Sequence, residues 1–179
     1  FQSVTTRTAG FASISQSGLT NGSKLLASML MIIGGSPAGT AGGIKTTTVA
    51  VLLLTAISVL RGNKDTECYG RKITFEIIRV GITITLVTFV FWLFGVTVMT
   101  VIEPQQKVLD LMFEATSAMA TVGLTADLTP VLSDISHVVL MLMMYIGRIG
   151  PMTMALIFSG HVDKKNQFRT LPEAKIMVG

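Results

Sequence analysis

A glycine-rich stretch between two apolar runs constrains the fold of this chain more than any other feature. The stretch, which we call the glycine break, comprises residues 34–45, and the apolar runs comprise residues 25–33 and 49–60. Neither run reaches the roughly 20 residues that a membrane helix needs, whereas the runs and the break together exceed one crossing. The pattern predicts one membrane helix interrupted in its middle. Because non-helical backbone at membrane depth is tolerated only where it faces protein or a water-filled cavity, the interruption indicates a pathway for something polar.

The composition is typical of an integral membrane protein. Half of the residues are hydrophobic, only 13% are charged, and the mean hydropathy is +0.65, which excludes an ordinary soluble domain. The formal net charge is +4, but the basic residues lie in short loops beside apolar runs, where orientation in the bilayer explains them better than a nucleic-acid partner does. The single cysteine, Cys68, cannot form an intrachain disulfide. We therefore expect an all-α protein embedded in lipid that binds no nucleic acid.

The charge distribution predicts how the chain crosses the membrane. Residues 61–79 carry five Lys or Arg against three acidic residues, which predicts a cytoplasmic loop. Residues 80–102 form an uncharged apolar run of spanning length, and residues 103–134 carry five acidic residues and one lysine, as expected on the external side. Residues 135–158 form the last predicted span, interrupted by Arg148, and a basic tail follows on the cytoplasmic side. The pattern predicts a multi-pass membrane protein.

Local signals predict the elements around the break. Residues 1–12 lack helical periodicity and are expected to form an extended loop. Asn21 or Ser23 is expected to cap a helix that runs to Ile33, and the helix is expected to resume near Thr46. Two helices therefore flank the glycine break.

The chain also contains an internal repeat. Thr8-Ala9-Gly10-Phe11 and Thr121-Val122-Gly123-Leu124, the first and second tetrapeptide, share the pattern Thr-small-Gly-apolar and lie 113 positions apart. The same offset relates three further pairs, Ser23 and Ser136, Met31 and Met144, and Ile33-Gly34 and Ile146-Gly147. An undisturbed register over this length indicates a duplication whose copies have the same orientation. Parallel copies about an axis along the membrane normal form a central pore, which disfavours a transporter built on inverted repeats.

The two tetrapeptides have the residue types that a cation filter needs. Thr-Val-Gly beside an apolar residue is close to the potassium-channel filter, in which successive backbone carbonyls replace the water shell of the ion. Glycine admits positive φ, which lets consecutive carbonyls point the same way, and threonine adds a hydroxyl oxygen. Apolar residues at helical spacing predict a short helix of about a dozen residues before Thr121, namely Val108, Leu109, Met112 and Phe113. The partial negative charge at its C-terminal end favours K⁺ at the carbonyls of the tetrapeptides.

Four motifs together resemble the third and fourth pore repeats of the Trk/Ktr/HKT superfamily of potassium transporters, in particular the bacterial Ktr-type membrane subunit. They are the two tetrapeptides, the end of the break at Gly42-Gly43-Ile44-Lys45-Thr46-Thr47, and Gly147-Arg148-Ile149-Gly150-Pro151. The resemblance implies tandem parallel helix–pore-loop–helix repeats of a pseudo-fourfold cation pore, with one broken gating helix. It divides the chain into the end of the third repeat (residues 1–62), a cytoplasmic loop (63–79), the fourth repeat (80–160) and a cytoplasmic tail (161–179). Since two filter segments cannot surround an ion, we expect a fragment of a longer protein.

The resemblance also implies ions and partners. Potassium is the transported ion, sodium is a candidate activator, and no cofactor is expected on this chain. The implied partners are a second full-length subunit, giving a homodimer, and a cytosolic RCK-type ring that binds ATP or ADP. The protein is expected in the bacterial cytoplasmic membrane, with the tail and the loop of residues 61–79 in the cytoplasm.

The break and one arginine form the candidate gate. The resemblance implies that the break is a flexible gate below the filter, with gate residues Gly34, Gly35, Ser36, Gly39, Gly42, Gly43 and Lys45. Arg148 follows Gly147, the repeat counterpart of Gly34, so we expect it at the depth of the break, where a charge is usually functional. An arginine that snorkels to the interface is the alternative. Lys45 either forms a second electrostatic barrier or marks the cytoplasmic end of the break.

Other function classes fit the sequence less well. Residues 39–46 lack the spacing of a phosphate-binding loop because Ile44 separates glycine from lysine. A serine nucleophile at Ser36 would lack a histidine base, since His137 belongs near the external end of its helix and His161 lies beyond the opposite end. We therefore expect a transport protein and not an enzyme. The alternative function is a secondary transporter that binds a cation at the broken helix and couples it to another solute.

Overall fold

The computed structural model describes residues 1–37, 41–63 and 65–150, and most of these residues are helical. In chain order the elements are α1 (Gln2–Thr5), α2 (Asn21–Ile32), α3 (Thr46–Leu60), β1 (Glu67–Cys68), β2 (Arg71–Lys72), α4 (Phe75–Ile102), α5 (Val108–Met119), a 3₁₀ turn (Thr129–Val131) and α6 (Asp134–Ile149). The strands pair antiparallel, with Glu67 opposite Lys72 and Cys68 opposite Arg71. This hairpin, with two residues in each strand, departs from the all-α prediction.

The helix α5 lies at the centre of the described structure. It packs against α2, α4 and α6, and its residues from Phe113 to Met119 are buried. The predicted short helix is confirmed, since α5 has 12 residues. Its burial includes polar residues such as Thr116, which accepts a hydrogen bond from Trp92 Nε1 at 2.8 Å and donates one to the Met112 carbonyl at 2.6 Å. These bonds offset the cost of burying a hydroxyl group.

Two apolar clusters lie on either side of α5. The first joins α4, α5 and α6 around Met99, Leu111 and Met143. The second joins α2 and α5 to the second tetrapeptide, and its members are Ala27, Met31, Phe113, Ala120, Val122, Leu124 and Ala126. The second tetrapeptide therefore contributes to the core, whereas Phe11 of the first tetrapeptide is exposed.

The helices α2 and α6 begin at equivalent places in the sequence repeat. Their first residues, Asn21 and Asp134, lie 113 positions apart, as do their N-cap residues Thr20 and Ser133. The predicted cap of α2 at Asn21 or Ser23 is wrong, because the Thr20 hydroxyl accepts the hydrogen bond from the Ser23 N–H at 3.2 Å. The N-cap residue is therefore Thr20, which directly precedes Asn21.

The extended loop predicted for residues 1–12 also needs correction. Residues Gln2–Thr5 form one helical turn, α1, closed by a bond from the Thr5 N–H to the Phe1 carbonyl at 2.9 Å. A single turn is too short to show apolar periodicity. The helix break itself agrees with the prediction, since α2 ends at Ile32 and α3 begins at Thr46.

Among the described residues, α4 is the one helix that is long and apolar enough to cross a membrane, judged by length and composition. It has 28 residues and begins at Phe75, within the segment predicted to be a loop. The apolar helix α3 is shorter, with 15 residues. The predicted span of residues 135–158 includes α6, which ends at Ile149, so Arg148 lies in the last turn of this helix. The rest of that predicted span and the predicted tail lie outside the described residues.

Candidate functional site

The two tetrapeptides adopt the same unusual backbone conformation. Thr8 and Gly10 have φ values of 60° and 74°, and Thr121 and Gly123 have φ values of 55° and 90°. The intervening residue of each has a negative φ, so the sign alternates along both tetrapeptides. A positive φ at a β-branched residue costs on the order of 1–3 kcal/mol, and such strain clusters at functional sites. The same strain therefore occurs at the equivalent threonines of the two tetrapeptides.

The structure brings the two tetrapeptides into contact. A Cβ atom added to Gly10 would lie 2.2 Å from the Val122 carbonyl oxygen, and one added to Gly123 would lie 4.0 Å from the Gly10 Cα. Position 10 therefore accepts only glycine, because any side chain would overlap the backbone of the second tetrapeptide. The close approach sets the two backbones side by side.

Different side chains hold the two tetrapeptides in place. The buried Thr5 hydroxyl donates to the Phe11 carbonyl at 2.7 Å and accepts from the Phe11 N–H at 2.8 Å. The loop after the second tetrapeptide is held by Glu114, which is 4% exposed. Its carboxylate accepts hydrogen bonds from Thr125 Oγ1 at 2.6 Å, the Ala126 N–H at 2.9 Å and Thr129 Oγ1 at 2.9 Å. A hydroxyl group thus fixes the backbone of the first tetrapeptide, whereas a carboxylate fixes the loop after the second.

The base of the glycine break is closed by backbone hydrogen bonds. The Gly34 N–H donates to the Ile44 carbonyl at 2.8 Å, and the Ile44 N–H donates to the Ile32 carbonyl at 3.0 Å. The Thr46 N–H donates to the Gly35 carbonyl at 3.3 Å. These bonds satisfy backbone groups where the chain leaves the helix, as burial away from water requires. The break is therefore a closed loop and not an open linker.

The break contacts the threonines of both tetrapeptides. The Gly42 N–H donates to Thr121 Oγ1 at 3.1 Å, and a Cβ added to Gly42 would lie 2.4 Å from the same oxygen. A Cβ added to Gly35 would lie 3.9 Å from Thr8 Oγ1. Predicted gate and filter residues that are far apart in sequence are therefore neighbours in the structure.

The charged and polar gate candidates occupy different surroundings. The Lys45 ammonium group donates a hydrogen bond to the Ala41 carbonyl, so it reaches back over the break. Ser36 is exposed, and Gly39 lies outside the described residues. His137, the histidine considered as a base for Ser36, donates instead to the Thr129 carbonyl at 3.0 Å.

Arg148 is exposed, but its neighbour Gly147 is tightly packed. A Cβ added to Gly147 would lie 1.9 Å from the carbonyl oxygen of Met119, the last residue of α5. The backbone of α6 at Arg148 is thus pressed against the segment that leads into the second tetrapeptide. The contact is made by Gly147, which directly precedes Arg148.

The sequence analysis missed an ion pair that joins α2 to α5. Lys24, which is buried, lies 2.6 Å from the carboxylate of Asp110 in the first turn of α5. The sequence signal was Lys24, the single charged residue of α2, and Asp110, one of the two acidic residues of α5. Our charge count used Asp110 only to predict the external side. A buried pair of this kind orients two elements more than it adds stability.

Two carboxylates on the predicted external side also join separate segments. Hydrogen bonds from Ser15 and Ser17 lower the pKa of the Asp127 carboxyl group from its usual value. Hydrogen bonds from Ser133, and a further one from Ser136, lower the pKa of the Glu103 carboxyl group. Glu103 Oε1 accepts from the Ser133 N–H at 2.8 Å and from Ser136 Oγ at 2.9 Å, which fixes the end of α4 to the start of α6.

Comparison with known proteins gives relatives that match all or most of the chain. Ktr system potassium uptake protein B of Bacillus subtilis is 37% identical over 179 residues, which is 100% of this chain and 39% of that protein. Potassium/sodium uptake protein NtpJ of Enterococcus hirae is 36% identical over 182 residues, which is 100% of this chain and 40% of that protein. Ktr system potassium uptake protein B of Vibrio alginolyticus is 35% identical over 159 residues, which is 89% of this chain and 35% of that protein.

The chain spans about two fifths of the length of the first two of these relatives. The family model described as TrkH, cation transport protein, matches residues 1–169. That match includes both tetrapeptides, the glycine break and the helix that carries Arg148. The chain therefore belongs to the TrkH family of cation transport proteins.

Proposed function

We propose that this chain is the C-terminal part of a potassium uptake protein of the bacterial cytoplasmic membrane and supplies two of the four segments of its selectivity filter. The single observation that carries the proposal is the alternation of φ that both tetrapeptides share. The names of the relatives in Bacillus subtilis and Vibrio alginolyticus, potassium uptake proteins, support potassium as the ion.

Alternating signs of φ provide a physical route to selectivity. In an ordinary strand, successive carbonyl groups point to opposite sides, so a single strand cannot surround an ion with them. Residues whose φ alternates between positive and negative values turn successive carbonyls toward one side of the chain. In this proposal the carbonyls of residues 8–10 and 121–123 face the permeating ion and replace its water shell. The C-terminal end of α5 adds partial negative charge beside Thr121.

The proposed architecture is a parallel repeat around a central pore. Support comes from α2 and α6, which begin 113 positions apart, and from the contact between the two tetrapeptides. Large apolar side chains are exposed along α3 and α4, including Leu53 on α3 and Phe89 and Phe94 on α4. Exposed apolar side chains of this kind suit contact with lipid. Two further repeats, on the part of the protein that precedes this chain, would complete the ring.

We further propose that the glycine break is the gate. The hydrogen bond from the Gly42 N–H to Thr121 supports this proposal, because Thr121 belongs to the proposed filter. The Lys45 ammonium group over the Ala41 carbonyl adds positive charge to the loop, which opposes a passing cation. Arg148 adds a second positive charge to the region in which α6 meets the end of α5.

The complete protein is proposed to act with partners. A homodimer of full-length subunits bound to a cytosolic RCK-type ring, which carries the ATP or ADP site, is the arrangement that the family resemblance implies. Sodium is the candidate activator, and the name of the Enterococcus relative, a potassium/sodium uptake protein, is consistent with a role for sodium.

The filter is tested with Gly123→Ser in the full-length protein. Since φ at this position is 90°, a serine there distorts the backbone. We expect the preference for potassium over sodium uptake to fall about tenfold or more. The matched control is Gly22→Ser, because a Cβ on Gly22 meets nothing within 4 Å. An unchanged preference in Gly123→Ser would refute the filter, and obligatory co-movement of another solute would favour a secondary transporter.

The gate is tested by removing its charge or its loop. Arg148→Ala should raise rubidium uptake in the absence of the activating signal, whereas Arg61→Ala at the end of α3 should not. Deletion of residues 38–41 should increase the leak. Normal expression with unchanged flux and regulation in both variants would exclude a gate.

A further inference from the structure

Asp127 joins the two halves of the described structure. Its carboxylate oxygen Oδ2 accepts hydrogen bonds from the hydroxyl groups of Ser15 and of Ser17, the latter at 2.7 Å. These serines follow the first tetrapeptide, and Asp127 follows the second. We call this set of three residues the clasp. Both ends of the clasp must be held firmly if it is to control the spacing between the tetrapeptides.

The Asp127 end of the clasp is anchored through Glu114. The Glu114 carboxylate is buried in α5 and binds the Ala126 N–H at 2.9 Å, one residue before Asp127. It also binds Thr125 and Thr129 on either side. Asp127 itself has a φ of 61°, a left-handed conformation that Asp adopts more readily than most residues. This backbone conformation is thus maintained by bonds on both of its sides.

The serine end of the clasp is anchored through Gln16. The Gln16 side chain is 2% exposed and lies between Ser15 and Ser17 in the sequence. Its Nε2 donates to Gln2 Oε1 at 3.0 Å and to the Ile14 carbonyl at 2.8 Å. Gln2 belongs to α1, the turn whose last residue, Thr5, holds the first tetrapeptide. The clasp therefore connects two segments that are each fixed to their own tetrapeptide.

We propose that Asp127 is a positioning residue that fixes the spacing of the two tetrapeptides through Ser15 and Ser17, and thereby sets the preference among monovalent cations. The proposal rests on the proposed filter function. The tetrapeptides touch through Gly10 and Val122, with no side chain between them. A change in their spacing therefore alters the positions of the carbonyls of two neighbouring filter segments, and with them the size and coordination of the ion site.

The test measures potassium and sodium uptake by the full-length protein. Asp127→Gly removes the acceptor and tolerates the positive φ, so it breaks the clasp without straining the backbone. Ser15→Ala combined with Ser17→Ala removes both donors and changes no charge. We expect each variant to lower the potassium-over-sodium preference about three- to tenfold, and we expect the triple variant to lower it no further, because the residues act as one unit.

Two controls separate a positioning role from the alternatives. Asp134→Asn removes a different carboxylate on the predicted external side, so it reports the effect of lost negative charge alone, and we expect an unchanged preference. A merely structural defect would lower both uptake rates together and leave their ratio intact. A reduced ratio in Asp127→Gly with a normal ratio in the double serine variant would mean that Asp127 acts by charge, which refutes the clasp.

Failure of the clasp and failure of the filter give different results. If the clasp variants keep the wild-type ratio while Gly123→Ser loses it, the clasp is refuted and the filter stands. If Gly123→Ser also keeps the ratio, the filter is refuted and the clasp falls with it.

Discussion

The two tetrapeptides share one backbone conformation, yet their supports have little in common. The first is held locally, by the Thr5 hydroxyl on both backbone groups of Phe11. The second is part of an apolar cluster, and the loop after it is held by a buried carboxylate from α5. The repeat counterpart of Glu114 is Phe1, and that of Thr5 is Ala118, so neither support is repeated. The comparison teaches that the alternating φ is the common requirement, while the side chains that maintain it are free to differ.

The helices that follow the tetrapeptides differ as well. The first is followed by α2, which stops at Ile32 where the glycine break begins, and the second by α6, which continues to Ile149. Since the second tetrapeptide lies in an apolar cluster and the loop after it is bonded to a buried carboxylate, we expect it to be the more firmly held of the two. Four predictions test this difference.

The largest effect is expected from Glu114→Ala. The change leaves three donors without their acceptor next to the second tetrapeptide, at a site that is 4% exposed. We expect a loss of about 3 kcal/mol or more in the free energy of unfolding, because each unsatisfied buried group costs about 1–3 kcal/mol. The thermal unfolding of the full-length protein in detergent measures it. Glu114→Gln is the control and should lose less, since its amide oxygen still accepts.

A somewhat smaller loss is expected from Gly147→Ala. The new methyl group would overlap the Met119 carbonyl oxygen, which lies 1.9 Å from the Cβ position. Overpacking against backbone costs about 1–3 kcal/mol. Gly95→Ala is the matched control, because its Cβ meets the flexible side chain of Met143 at 2.4 Å. Equal thermal stability of the two variants would contradict the close packing of α6 on α5.

Thr5→Val should have a moderate effect. Valine keeps the shape of threonine but removes both bonds to Phe11 at the first tetrapeptide, so we expect a loss of about 1–2 kcal/mol. Thr83→Val, on the exposed side of α4, is the control and should be close to neutral, although it also loses a bond to a helix carbonyl. If Thr5→Val destabilised the protein more than Glu114→Ala, the second tetrapeptide would not be the firmer one.

The smallest effect concerns Glu103, which fixes α4 to α6 beside the second tetrapeptide. Because hydrogen bonds from Ser133 lower its pKa, the ionised form stabilises the folded state above the ordinary value of 4.5, and this stabilisation is lost as the pH falls through the lowered pKa. Glu103→Gln should therefore lower the unfolding temperature at pH 7 more than at pH 3. An equal decrease at both pH values would show that the carboxylate charge contributes nothing.

Patterns with a clear period predicted most of the fold. The two helices around the break and the short α5 agree with the prediction, because apolar periodicity and the glycine-rich stretch report them directly. The turn of α1 and the Thr20 cap were missed because one turn leaves no period and several polar residues compete to cap α2. The family and its assignment to transport proteins rather than enzymes are confirmed by the relatives.

The site was predictable only in part. The repeat identified the tetrapeptides whose backbones share the alternating φ, since both carry glycine at the same place. Residues that hold them, such as Glu114 and Asp127, were counted only as external charge. The partners of Glu114 lie 11 to 15 residues further along the chain, beyond the end of α5, and Ser15 lies 112 positions from Asp127. No local pattern reports such long-range pairing, and it emerges only when helices from both copies pack around α5.

The close packing at Gly147 limits the movement of α6 relative to the end of α5. The Cα of Gly147 packs tightly against the Met119 carbonyl, in the segment that leads into the second tetrapeptide. A rotation of α6 would therefore displace the proposed filter. Gly34, the repeat counterpart of Gly147, presses instead on the Gly42 carbonyl, a part of its own loop. On that side the helix contacts the glycine break, whose Gly42 in turn contacts Thr121 of the second tetrapeptide. We therefore propose that a movement of α2 reaches the proposed filter through the glycine break, whereas a movement of α6 reaches it directly.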